Sequence, residues 1–373
     1  MKGLASIKRI SGVLSRGWNR ACIAADAFLR HILRAERRNA PRNKMVLLVF
    51  QQVFGDAVLL QDSLAEYVRL FPKEEGYAVK FLVRPSVAAF MQAVLKLPED
   101  LQIEEVDFKR FLESYSYYRE VVRRYRGQAD LLIVPGTSLS AEIFSCANDA
   151  PRKVGLTRPL KLRSPFVMAL FAKIAYTERV TPERDEMMLL RHRRLLRYLG
   201  SPDYRAKLPR LLPQERVIQE PRYCVLCPGA SVPEKRWPAE RFAEVSDFIV
   251  ETYGISVHLC GGADEAEYGE RLSRFLRHPE RVVNRIGKTT FAEWASVVQY
   301  ADFVVGNDSA TIHLAAAART PCVCVTGVYD KAQFFPYQTD EQSDFPIDIQ
   351  NPHSASGTTM NETWALQIGG TGI

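Results

Sequence analysis

Three short stretches carry the residues best suited to chemistry. The first is Val305 to Ala318, VGNDSATIHLAAAA. An apolar run, Phe303 to Val305, stops at Gly306 and Asn307. The polar pair Asp308 and Ser309 follows, then an alanine-rich segment that Pro321 ends. This order predicts strand, tight turn and helix. Such a turn leaves backbone N–H groups free at the helix start, where an anion such as phosphate is favoured. Ser309 is positioned to cap that helix, and His313 falls one turn later on the same face. The second stretch runs from Pro228 to Pro238, PGASVPEKRWP. It follows the apolar strand Tyr223 to Cys227, and Pro238 suits the first turn of a helix. Lys235 and Arg236 stand just before that helix, within reach of a phosphate at the sheet edge. The third stretch is Val53-Phe54-Gly55-Asp56, after the buried strand Met45 to Gln51. It sets the Asp56 carboxylate at a strand-to-helix turn on the C-terminal edge of a parallel sheet, where open α/β folds bind ligands. Asp is also a common helix N-cap, so Gly55-Asp56 is a weak motif taken alone.

The elements that must position these residues alternate along the chain. Strands are expected at Tyr77 to Val83, Leu101 to Val106, Asp130 to Val134 and Lys153 to Leu156. Helices are expected after Ala57, from Pro85, over Ser114 to Arg126 and over Pro182 to Leu199, with Gly200 as a stop. The pattern is that of a doubly wound parallel sheet. Residues 201–221 hold four prolines and no clear period, which reads as an inter-domain linker. The second half repeats the plan, with strands at Tyr223 to Cys227, Ser256 to Cys260, Val282-Val283, Phe303 to Val305 and Cys322 to Thr326. Gly287-Lys288-Thr289-Thr290 resembles the end of a phosphate loop, but the upstream Gly is missing, and Thr290 to Glu293 reads as a capping box. The expected boundaries are an arm at 1–44, a domain at 45–200, the linker, a domain at 222–340, and a polar, loose tail at 341–373.

Composition narrows the class. The chain has 373 residues, 47% hydrophobic and 25% charged, which suits a soluble protein of two domains. No apolar run reaches the ~18 residues of a membrane span. Seven cysteines form no disulfide framework, and the Cys224/Cys227 pair has no partner at zinc spacing. Cys224, Cys227, Cys322 and Cys324 read as buried free thiols, and no metal site is expected. The net charge of +7 is uneven: residues 1–44 hold eleven Lys/Arg against Asp26 and Glu36, while the rest is 39 basic against 41 acidic. A nucleic-acid binder is not indicated, because the arm lacks aromatic interleaving and the body is neutral.

Within the arm, Ile7, Ile10, Leu14, Trp18, Ala21, Ala25, Phe28 and Ile32 recur at helical spacing. The expectation is a basic amphipathic helix that lies on an anionic membrane surface through residues 1–40, packs on the protein's own body, or is a cleaved organelle presequence. No secretory signal pattern is present.

Together, Gly55-Asp56, Pro-Gly-Ala-x4-Lys-Arg-Trp-Pro at 228–238, Gly287-Lys288-Thr289 and Asn-Asp-Ser-x3-His-Leu-Ala-x-Ala at 307–317 resemble glycosyltransferase family 9, the ADP-heptose:lipopolysaccharide heptosyltransferases. The resemblance covers roughly residues 45–336. It implies a GT-B fold: α/β, two Rossmann-like domains with parallel sheets facing across a cleft, here with a basic N-terminal helix added. It implies inverting, metal-independent transfer of a sugar, with no cofactor beyond the nucleotide-sugar co-substrate, ADP-heptose in the family. The N-terminal domain would bind an anionic glycolipid acceptor like the lipopolysaccharide core, and the C-terminal domain the donor. Asp56 matches the general base. Lys235 matches the lysine on the donor phosphates, and Ser231 lies in the same loop. Asp308, Ser309 and His313 match the family's Asp-Ser/Thr-Gly-x-x-His box, in which Asp308 would order the turn or contact the sugar. Asp264 lies near the acidic ribose contact, with Glu265 beside it. Arg158, Lys161 and Arg163, three cations within six residues, would grip the acceptor or form a solvated loop. The implied location is cytoplasmic, peripheral on the cytoplasmic face of the inner membrane.

The sequence departs from the family pattern at Ala310, where the box has Gly, and at the C-terminus, where the helix that returns to the N-terminal domain is not evident. Both departures leave open a catalytically impaired protein that binds a nucleotide or glycan. A transferase using another nucleotide sugar and a nucleotide-sugar epimerase are further readings.

Overall fold

The computed structural model describes residues 2–33, 44–136, 138–157, 170–171, 173–183, 186–231, 235–326, 334, 337–340 and 347–350. The chain opens with helix α1 (Lys2–Leu33). The N-terminal domain then runs β1 (Met45–Val49), α2 (Phe54–Leu70), β2 (Ala78–Val83), α3 (Pro85–Val94), β3 (Leu101–Glu105), α4 (Phe108–Glu113), α5 (Tyr115–Tyr125), β4 (Leu131–Val134), α6 (Leu139–Ala147), β5 (Arg152–Leu156), β6 (Glu178–Val180) and α7 (Met188–Leu199). The C-terminal domain follows with β7 (Tyr223–Cys227), α8 (Ala239–Tyr253), β8 (Ser256–Leu259), α9 (Ala266–Ser273), β9 (Val282–Asn284), α10 (Phe291–Gln299), β10 (Phe303–Asn307), α11 (Ala310–Ala318), β11 (Cys322–Thr326) and β12 (Ile347–Gln350). The strands form two six-stranded sheets, ordered β3-β2-β1-β4-β5-β6 and β12-β11-β10-β7-β8-β9, and every described pairing within the sheets is parallel.

The central strands are continuous apolar runs because helices cover both faces of each sheet. β4 (LLIV) and β7 (YCVLC) are buried at every position. Pro85 opens α3, Thr290 and Glu293 form a capping box at α10, and Gly254 ends α8 in the left-handed region. Cys224, Cys227, Cys322 and Cys324 are buried free thiols, as the sequence suggested.

The two domains are in contact. Helix α2 packs on α11 and α3 on α10, and one hydrophobic cluster runs through both. Its aromatic junction joins Phe54 and Phe90 to Phe291 and Trp294, with ring centroids 5.4 to 5.7 Å apart. The linker is extended and partly buried through Ala206, Leu208 and Ile218.

Four sequence expectations change. The helix expected from Pro182 begins at Met188, and Pro182 lies in coil before it. β6 has only three residues, too few to show a period. The C-terminal sheet extends past 340, where β12 covers the edge that β11 would otherwise expose; residues 351–373 lie outside the described residues. Among the described residues a return contact is made by Asp340, which accepts from Arg193 of the N-terminal domain and, in the linker, from the Ala206 N–H at 2.7 Å and through its carbonyl from Arg205 at 3.0 Å.

Helix α1 is also more than an arm. Ile23 and Ala27 are fully buried among side chains of α4, α5 and α6, and Arg20 pairs with Glu113 at 3.6 Å.

The aromatic junction predicts a stability effect. Phe90→Ala leaves a cavity between the domains and should cost ~3–5 kcal/mol in urea unfolding. Phe248→Ala, at an exposed position, should change stability by under ~0.5 kcal/mol. Equal effects would contradict the junction.

Candidate active site

In an open parallel sheet a ligand sits where adjacent strands send their connections to opposite sides. In the N-terminal sheet that point lies between β1 and β4, and in the C-terminal sheet between β10 and β7. The turns after β1, β7 and β10 all open into one cleft. Its cavity of about 740 Å³ is lined from both domains and lies within the usual range for small-molecule and cofactor sites. Asp56, Ser231, Lys235, Asp264, Asp308, Ser309 and His313 all line it. Arg158, Lys161 and Arg163 lie outside the described residues.

The C-terminal wall is tied together by Asn307, which is fully buried. Its Nδ2 donates to the Pro228 carbonyl at 2.7 Å, and its Oδ1 accepts from the Trp237 N–H at 3.1 Å. One side chain thereby locks the turn after β10 to the loop after β7. Lys235 then comes to Asp308, Nζ to Oδ2 at 2.6 Å, with both side chains largely buried. Asp308 therefore orients a cation. Arg236 turns the other way, its Nε donating to the Ala230 carbonyl at 3.1 Å.

Ser309 departs from expectation. It occupies the N-cap position of α11 but makes no cap bond, because its hydroxyl is not turned onto the helix N–H groups. Its Oγ is buried and has no hydrogen-bond partner among the described residues. A buried hydroxyl in that state costs free energy unless a ligand satisfies it. Ala310 is the first residue of α11 and has no positive φ, so the helix does not require glycine there. That removes one physical ground for an impaired site.

His313 is buried against Tyr337, with rings parallel at 5.8 Å and Nδ1 hydrogen-bonded to the Tyr337 hydroxyl. Burial pushes its pKa down to about 4, with Lys235 adding to the fall and Asp308 opposing it. The ring is neutral near pH 7, so the positive charge of this wall comes from Lys235 and the start of α11. Next to it, a Cβ on Gly55 would stand 2.6 Å from His313 Cδ2. Only glycine allows α2 to bring Asp56 this close to α11.

The acidic pair divides. Asp264 is exposed at the rim, whereas the Glu265 carboxylate accepts from the Gly262 N–H at 3.0 Å and packs against Gly229 and Gly261, where a Cβ would collide with it. Burial raises its pKa. Gly287 has φ +68°, and a Cβ there would lie 2.8 Å from Ala263 Cα, so it fixes the turn beside this pair.

Two residues were not singled out from sequence. Asn307 is one. The other is Arg84, which follows β2, lines the N-terminal wall, and has a buried Nε without a partner among the described residues. The available signal was a cation between an apolar strand and Pro85. Among the described residues no group of three or more His, Cys, Asp or Glu is arranged to hold a metal ion.

Comparison with known proteins agrees with this architecture. Residues 118–364 match the profile of glycosyltransferase family 9 (heptosyltransferase). The chain is 30% identical over 170 residues to lipooligosaccharide heptosyltransferase 2 of Haemophilus influenzae, which is 44% of this chain and 47% of that protein. It is 26% identical over 228 residues to the Haemophilus ducreyi protein of the same name, 57% and 63% of the two lengths. The chain thus spans about half the length of the curated relatives it matches. Among solved structures, a glycosyl transferase family 9 protein from Veillonella parvula superposes with TM-score 0.60 at 19% identity, over 83% of this chain and 86% of that one. E. coli heptosyltransferase WaaC with ADP gives TM-score 0.60 at 18% identity, over 83% and 94%. These likenesses establish the GT-B fold.

The buried histidines set a pH dependence. His192, like His313, is pushed down to about 4 by burial. The unfolded chain titrates such groups near 6.5. Between those values the unfolded state binds more protons, so stability is full above about 6.5 and falls as pH drops toward about 4. His313→Gln should make that loss shallower in urea titrations across the window. An unchanged slope would contradict a neutral, buried His313.

Proposed function

Because the chain belongs to glycosyltransferase family 9, we propose that it transfers a sugar from a nucleoside diphosphate to a hydroxyl of an anionic glycolipid. The donor in this reading is ADP-heptose and the acceptor resembles a lipopolysaccharide core. The relatives' names, lipooligosaccharide and lipopolysaccharide heptosyltransferase 2, support the sugar and the acceptor class. The related enzyme solved with ADP supports the base. One observation carries the reading: an unsatisfied Ser309 hydroxyl, the start of α11 and Lys235 converge on one wall of a cleft whose other wall holds Asp56.

The donor diphosphate would sit against the first N–H groups of α11, Ser309 and Ser231, with Lys235 sharing its charge between Asp308 and the phosphate oxygens. The ribose would meet the Asp264–Glu265 pair, with Glu265 as the buried member. The acceptor would enter from the N-terminal wall. Asp56 would take the proton of the acceptor hydroxyl as that oxygen bonds to the anomeric carbon. The bond from that carbon to the diphosphate oxygen breaks, and its electron pair leaves with the diphosphate. Attack and departure come from opposite walls, so the configuration inverts. A positioned base contributes ~10²–10⁴ in rate. Lys235 and the helix meet the leaving charge in place of a metal ion. Arg84, which lines the N-terminal wall, would pair with an acidic group of the glycolipid. Such an acceptor sits in a membrane leaflet, so the work would be done by a peripheral enzyme at the cytoplasmic face.

The test is transfer from ADP-heptose to a core-type acceptor in the presence of EDTA. Asp56→Asn should lower turnover at least ~100-fold with little change in donor KM. Arg84→Ala should raise acceptor KM by about tenfold or more, with a smaller effect on kcat. Wild-type turnover in the Asp56 variant would remove that carboxylate from the reaction, and activity abolished by EDTA would overturn metal independence.

A further inference from the structure

Helix α1 has two apolar faces, and only one is used by the protein. The inward face carries Ile23 and Ala27, both fully buried, with Ala24 and Phe28 partly buried beside them. On the opposite side Trp18, Leu29 and Ile32 are 73%, 55% and 53% exposed, and Ala21 and Ala25 between them are exposed as well. These five positions recur at intervals of three and four and form one stripe down the helix. The spacing of Ile7 and Leu14 continues the same line toward the start of the helix. Solvent-facing apolar residues scattered singly are ordinary, but a row of them on one helix is not.

We propose that this outward stripe lies on an anionic lipid bilayer while the inward face remains docked on the N-terminal domain. The inference rests on residues away from the cleft and does not require the transferase reading. Three observations select a lipid surface. First, the charge is complementary: residues 1–44 hold eleven Lys/Arg and two acids, against a nearly neutral body. Second, a second copy of this chain would bring two such basic segments together, which opposes pairing through this face. Third, the form suits an interfacial helix, with Trp18 on the stripe, since an indole favours the boundary between headgroups and acyl chains. The helix lies on the surface and does not span it, because among the described residues no helix is long and apolar enough to cross a membrane. The Arg20–Glu113 pair and the buried Ile23 and Ala27 make the attachment rigid. The bilayer would therefore hold the N-terminal domain in a defined orientation.

Flotation of the full chain with vesicles tests this. The protein should float with vesicles containing phosphatidylglycerol and much less with phosphatidylcholine alone, and high salt should weaken binding. The triple variant W18E/L29E/I32E should bind at least about tenfold more weakly with an unchanged thermal midpoint, because all three side chains are exposed. Equal flotation of the variant, or no flotation of the wild type with anionic vesicles, would overturn the proposal. So would a wild-type dimer in sedimentation that the triple variant dissolves, since a second copy would then be what covers the stripe.

Discussion

The buried side chain of Asn307 is the constraint on which the candidate site depends. Its amide bonds to two points on a neighbouring loop, so the turn after β10 and the loop after β7 move as one piece. That lock brings Lys235 to Asp308 and leaves Ser309 at the mouth of α11 with an unused hydroxyl. A largely buried ion pair is weak evidence of stability, because removing both charges from water costs about what their attraction returns. In the proposed reaction its use is to hold a lysine in the cleft until a second anion arrives.

The same economy of space governs how the domains meet. At Gly55 the absence of a side chain lets α2 approach His313 and α11, so the next residue, Asp56, lines the same cleft as Lys235 and Ser309. Phe54, the residue before, belongs to the aromatic junction that joins the domains. The proposed base and the domain contact are therefore set by adjacent residues. Asp340 adds a second point of attachment behind the cleft, through Arg193 and the linker.

Much of this was legible from residue types at fixed offsets from strand ends. Asp56, Lys235 and Ser309 stand where a parallel sheet delivers ligands, and apolar runs marked nearly every central strand. Other features were not legible for physical reasons. A side chain that bridges two loops, as Asn307 does, depends on a contact 79 residues away in the chain. Which of Asp264 and Glu265 is enclosed depends on which carboxylate the glycines make room for. Three-residue β6 is too short to show alternation. In α1 the period was right, but it could not tell which of two apolar faces the protein would cover. Ile23 and Ala27 turned inward, and most of the expected stripe, Trp18, Ala21, Ala25 and Ile32, turned out. Ala310 shows the reverse case, in which a departure from a motif loses its force once its backbone is seen to be ordinary helix.

In the proposed reaction the wall built from Lys235, Ser309 and the start of α11 holds a nucleoside diphosphate. Calorimetric titration of ADP into the full chain in EDTA tests it most directly, with UDP and GDP alongside. Binding should be saturable, favour ADP and weaken about tenfold or more with Lys235→Ala and with Ser309→Ala. Absence of binding by any of the three nucleotides, or ADP binding that neither substitution disturbs, would contradict it.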